Sequence, residues 1–177
     1  MAKVNRTIDE AIDELMKNYE SALKEAVEYA SNKAVEDIYK QSMSCLEQYY
    51  DSYDPTSYER TDTLWHAIVP YLEPIKHTKD GFISSVGVVY DPSRIDGVYF
   101  GSKKYSPTDG AWILDNYLCG VHPATDGSSI SGEAFYYEIV DSVSPTDSMR
   151  TYLDKYAETT FNDNMLISFA KQITRMK

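Results

Sequence analysis

The sequence predicts an α+β fold, and three observations carry that reading. Apolar residues recur every three or four positions from Thr7 to about Tyr50. Short runs rich in β-branched and aromatic residues then alternate with turn signals from Leu64 to Val140, and helical spacing returns after Ser144-Pro145. The order implies one domain over residues 1–177: a helical arm at 1–50, an extended joining segment at 51–63, a β-region at 64–143 with a long loop near 116–132, and C-terminal helices at 144–177.

The arm is written by Ile8, Ile12, Leu15, Tyr19, Leu23, Ala26, Ala30, Ala34 and Ile38. Thr7 followed by Glu10 fits a capping box, and Asp9, Glu10, Asp13 and Glu14 suit the positive end of a helix dipole. No proline occurs before Pro55, so the arm is either one helix of roughly 65 Å or two helices broken near Ser31-Asn32. A helix that long overhangs a small domain and is expected to pack on a neighbouring subunit.

In the β-region the strand candidates are Leu64–Leu72, Phe82–Tyr90, Gly97–Phe100, Ala111–Leu118 and Ala134–Val140. Four Asp-Gly pairs, beginning at Asp80, Asp96, Asp109 and Asp126, favour tight turns, so the sheet should be small and mainly antiparallel. Pro70 and Pro74 put the first strand at an edge or interrupt it, because proline cannot donate to a ladder. The small, polar stretch from Asn116 to Gly132 reads as a loop. Met149, Tyr152, Leu153 and Tyr156, then Phe161, Leu166, Phe169 and Ile173, mark the closing helices, with Lys171, Arg175 and Lys177 near the last turns.

Composition narrows the function. The formal charge is −11, which disfavours direct nucleic-acid binding, since tracking phosphates needs clustered Lys and Arg. An acidic wall would still let DNA slide past without adsorbing. Sixteen tyrosines, with large rings and polar tips, suggest much half-buried contact surface. Cys45 and Cys119 form neither a disulfide framework nor a metal quartet and read as free thiols in a reducing cytoplasm. No segment approaches the ~20 apolar residues of a membrane span, and the first ten residues lack a signal core.

Signals for chemistry are weak. Neither GxGxxG nor GxxxxGK[ST] occurs. Cys119 and His122 form half of a zinc site, with only Cys45, His66 and His77 left to complete it, and Cys119 with His122 or His66 could make a nucleophile and base. The bland reading, a loop cysteine and a loop histidine before Pro123, outweighs both. The acids Asp51, Asp54, Glu59 and Asp62 read as solvated charge in a chain acidic throughout. No cofactor, metal or catalytic residue is expected.

The joining segment is the sharpest motif: YYDSYDPTSYERTDTL, with Tyr50, Tyr53, Pro55, Tyr58, Arg60, Thr61 and Leu64 in the pattern Tyr-x-x-Tyr-x-Pro-x-x-Tyr-x-Arg-Thr-x-x-Leu. Following a long helix and preceding a first strand, it resembles the head-tail joining or tail-completion proteins of tailed bacteriophages, the gene-product-10-like connectors. Ser85–Ser93, the stretch around Gly120–Pro123 and Ser144–Tyr156 also look like that group's strand, loop and closing helix. The resemblance implies a non-enzymatic virion protein, made in the host cytoplasm, forming a homo-oligomeric ring at the neck between the portal or its adaptor and the tail terminator or tube. DNA would pass its acidic lumen, and no membrane is involved. In the segment, Pro55 would stiffen an extended path, the tyrosines would cover apolar surface, and Arg60 would pair with an acid or backbone carbonyls. The alternatives are packing of these residues inside one subunit and, for the whole chain, a small Cys/His hydrolase or a protein-binding adaptor.

Overall fold

The computed structural model describes residues 7–52, 63–95, 99–100, 103–104, 109–120, 122–124, 136–138 and 144–175. The fold is α+β: a long N-terminal helix, short strand pairs and C-terminal helices. The first element, α1, runs unbroken over Ile8–Asp51. Ser31-Asn32 does not interrupt it, and the Asn32 Nδ2 donates back to the Glu28 carbonyl one turn earlier at 2.9 Å. Its start is the capping box that Thr7 and Glu10 promised. Thr7 N donates to Glu10 Oε2 at 2.9 Å, and Glu10 N donates to Thr7 Oγ1 at 3.3 Å.

The strand candidates fared unevenly. Leu64–Leu72 divides into a helical turn, α2 at Leu64–Ala67, and a strand, β1 at Ile68–Leu72. Phe82–Tyr90 divides into β3 at Gly81–Ile83 and β4 at Val86–Tyr90, with β2 at Lys76–Thr78 before them. Strands β5 (Tyr99–Phe100) and β6 (Lys103–Lys104) follow. Ala111–Leu118 is not a strand. It lies within α3, Asp109–Cys119, where the buried positions Gly110, Leu114 and Tyr117 fall at helical spacing. Asp109-Gly110 opens this helix instead of turning a hairpin. Strands β7 (His122–Ala124) and β8 (Tyr136–Glu138) come next, then α4 (Pro145–Glu158) and α5 (Thr160–Arg175). Part of the predicted loop at 116–132 is therefore the end of α3 and the whole of β7.

Among the described residues the strands pair two by two: β1 with β4, β2 with β3, β5 with β6, β7 with β8. Backbone bonds from Asp91 N to the Ala67 carbonyl and from Glu73 N to the Ser85 carbonyl flank β1 and β4 at opposite ends, so this pair is antiparallel like the others. Pro70 is tolerated because, among the described residues, β1 has one strand neighbour, β4. Asp80-Gly81 makes the turn it signalled: Gly81 has φ 131°, open to glycine and strained for other residues.

The chain forms two compact units, and α1 contributes to both. One comprises Met1–Ala34, Leu72–Val86 and Tyr156–Lys177; the other comprises Val35–Tyr71 and Gly87–Lys155. The second holds the aromatic core. Leu46, Tyr49, Leu64, Ala67, Ile68, Ile95, Leu114 and Tyr117 are buried together. Tyr117 is the pivot: its ring meets Tyr49 edge to face at 5.2 Å and Tyr90 at 6.2 Å, and its hydroxyl donates to the Ser42 carbonyl at 3.4 Å. Met149 of α4 closes over the same stretch of α1, where Ser42 Oγ lies 3.6 Å from its sulfur. In the first unit a ridge of small residues, Ala22, Ala26, Ala30 and Ala34, is fully covered along α1. Tyr19 and Phe169 meet edge to face at 5.0 Å.

Candidate functional site

The joining segment is described only at its ends. Tyr50 closes α1, where its ring lies 5.7 Å from that of Trp65, and Leu64 is buried in the aromatic core. Both pack inside the chain. Tyr53, Pro55, Tyr58, Arg60 and Thr61 lie outside the described residues.

The residues weighed for metal or nucleophilic chemistry have different surroundings. Cys45 is buried in α1, and desolvation pushes its thiol pKa up, partly countered by the Gln41 amide. A raised thiol holds less thiolate near neutrality and is a poor nucleophile. Cys119 is exposed at the end of α3, His66 is exposed in α2, and the His122 side chain is outside the described set. His77 Nε2 lies 3.0 Å from Glu20 Oε1, and its ring stacks on Phe82 at 5.0 Å. Those two contacts, with Lys17, Lys24 and Ile75, line a shallow groove of about 380 Å³ between α1 and the β2–β3 hairpin. Among the described residues no cluster of three His, Cys, Asp or Glu side chains could hold a metal.

Among the described residues Asp91 is an acid whose charged form is held by several donors at once. Ser93 Oγ donates to its carboxylate at 2.6 Å and Ser93 N at 3.0 Å, and Arg94 Nε adds a third bond at 3.1 Å. These donors lower its pKa, the serine hydroxyl first. The arrangement caps the 3₁₀ turn Pro92–Arg94 and needs no functional role.

The conspicuous surface is apolar. Every residue from Thr7 to Ser21 is exposed, although this stretch carries five large apolar side chains. Ile8 is 80 % exposed, Leu15 67 % and Met16 61 %, with Ile12 and Tyr19 close behind. At about 100° per residue, these five fall within an arc of roughly 100°. The same arithmetic continues that arc into Ala22, Ala26 and Ala30, which are fully covered. One apolar stripe therefore runs along α1, covered from Ala22 onward and open before it.

A second open apolar surface lies on α5. Phe169 and Ser168 face inward, while Leu166 (58 % exposed) and Ile167 (54 %) face solvent with Ala170, Lys171, Thr174 and Arg175. Sequence periodicity identified the α1 stripe but not that its first turns are bare. It also missed the α5 face; the signal present was two adjacent large apolar residues in a helix whose inner face Phe169 and Ile173 already supply.

Compared with protein-family models, with curated proteins and with solved structures, the chain matches none.

Proposed function

We propose that this chain is a structural subunit of a tailed-bacteriophage virion, a ring-forming head-tail connector or tail-completion protein that joins the portal or its adaptor to the tail. The observation that carries the reading is the bare apolar stripe on the first four turns of α1. A helix of that length with no covering surface is marginal in water, and tertiary or quaternary packing of its apolar face is what normally stabilises it. Ring subunits meet neighbours through two different faces, which the α1 stripe and the α5 face provide. The Tyr-Pro-Tyr-Arg-Thr segment points to the neck in particular, and the charge of −11 suits a passage through which DNA slides without sticking.

In this reading the chain works by contact and performs no chemical step. Its partners are further copies of itself and other virion proteins, and it resides in the virion after synthesis in the host cytoplasm. The test is native mass and negative-stain microscopy of the purified protein, with immunodetection in purified particles. A closed ring and presence at the neck are expected. A protein that is monomeric at all concentrations and absent from particles refutes the proposal. Turnover abolished by Cys119→Ala or His122→Ala would instead establish the enzymatic alternative.

A further inference from the structure

We infer that the bare stripe of α1 seats on the exposed face of α5 from a second copy, with the two helices antiparallel. The inference deepens the ring-subunit reading by naming the two faces that meet. It stands on charge, length and handedness.

Asp9 and Asp13 are exposed one turn apart beside the α1 stripe, and Lys171 and Arg175 are exposed one turn apart beside Leu166, Ile167 and Ala170. An acid-edged apolar stripe thus exists alongside a base-edged one. Two identical α1 stripes brought together would crowd their own carboxylates along the seam, whereas α1 against α5 pairs opposite charges. The lengths agree as well. Ile8 to Tyr19 spans about 16 Å and Leu166 to Arg175 about 14 Å at 1.5 Å per residue.

Handedness selects the direction. Taking about 100° per residue, Asp9 and Asp13 lie on the advancing side of their stripe, the side reached by rotating onward in chain direction. Lys171 and Arg175 lie on the advancing side of theirs. When two helices face each other antiparallel, their advancing sides fall on the same side of the contact; when they run parallel, the sides fall opposite. Only the antiparallel arrangement sets Asp9 against Arg175 and Asp13 against Lys171. In that register Ile12 and Leu15 come level with Ala170 and its neighbours, and Leu15, Met16 and Tyr19 with Leu166 and Ile167. The positive start of α1 also meets the negative end of α5.

Charge reversal on each face, followed by mixing, tests the contact between copies. Variant one carries Asp9→Arg and Asp13→Arg; variant two carries Lys171→Glu and Arg175→Glu. All four sites are exposed, so the variants should fold, with circular dichroism as the check. Each variant alone juxtaposes like charges and is expected to associate about tenfold or more weakly than the unaltered chain in sedimentation or native-mass measurements. An equimolar mixture restores association, because each altered face meets the complementary altered face of the other variant. No ion pair within one chain can produce rescue by mixing. An unaltered chain that stays monomeric overturns the inference, and so does weakening without rescue. Association that ignores both reversals overturns it too, while leaving a ring at the neck intact as a function.

Discussion

Replacing Tyr117 separates the ring's contribution from the hydroxyl's. The side chain is fully buried, and its ring packs edge to face on Tyr49 and tilted against Tyr90. Tyr117→Ala removes the ring from a core whose neighbours come from α1, β1, β4 and α3, so the void cannot collapse easily. Truncation of a buried aromatic costs about 3–5 kcal/mol, and the edge-to-face pair adds to plain area burial, so a value near the upper half of that range is expected. Tyr117→Phe keeps the ring and loses a hydroxyl whose bond to the Ser42 carbonyl, at 3.4 Å, is at the long limit. That loss should cost about 0.5–1 kcal/mol. The assay is urea unfolding followed by far-ultraviolet circular dichroism, with the slope unchanged among variants. If alanine leaves no measurable folded population, the phenylalanine variant still decides. A Phe variant as damaging as several kcal/mol, or an Ala variant costing under about 1 kcal/mol, refutes the packing argument.

The same core predicts alkaline lability. Desolvation raises the pKa of Tyr117, Tyr90 and Cys45 above their ordinary values, so the folded state keeps protons that the unfolded chain releases. Stability is complete below the ordinary thiol and phenol range and falls as pH rises from about 8.5 to 10 and beyond, which urea midpoints across that range would show. A midpoint independent of pH through 11 contradicts it. Ser31→Ala removes a buried hydroxyl that lacks a hydrogen-bond partner in the structure and should raise stability by about 0.5–1.5 kcal/mol in the same urea assay. Gly110→Ala places a Cβ 2.5 Å from the Pro92 carbonyl oxygen, which should cost about 1–3 kcal/mol, read as a fall in melting temperature. Thr7→Ala breaks one half of the capping box and should cost about 0.5–2 kcal/mol of helix stability, seen as faster amide exchange at the start of α1 with the aromatic core unaffected.

The helices were legible wherever spacing and punctuation agreed. Thr7 and Glu10 marked the start of α1, and Pro145 opens α4 because a proline at the first helical position loses no bond. The failures came from short apolar runs, where periodicity alone does not separate strand from helix. Ala111–Leu118 reads as β-rich from Trp112 and Ile113, yet Leu114 and Tyr117 on one helical face meet the aromatic core and decide the matter. Burial was harder to read than structure. Ile8, Ile12 and Leu15 carry the same pattern as Ala26 and Ala30, and a sequence does not record where a cover stops. At the joining segment only the ends can be placed, and there Tyr50 and Leu64 act by packing at home.

The first unit is assembled from pieces far apart in the chain, and this sets an order in time. Tyr19 emerges from the ribosome 150 residues before Phe169, its ring partner. At about 5–20 residues per second, that is an interval of roughly 8–30 s during which Tyr19 has no Phe169 of its own chain to meet. A nascent α1 therefore presents Tyr19 without its ring partner, beside the apolar side chains of its opening turns that stay exposed in the finished fold. Because the proposed receiving face lies on α5 itself, a chain can offer its α1 stripe well before it can accept that of a neighbour. Completion of the fold would then be the licence for assembly, and half-made chains would be able to offer a surface but not to take one.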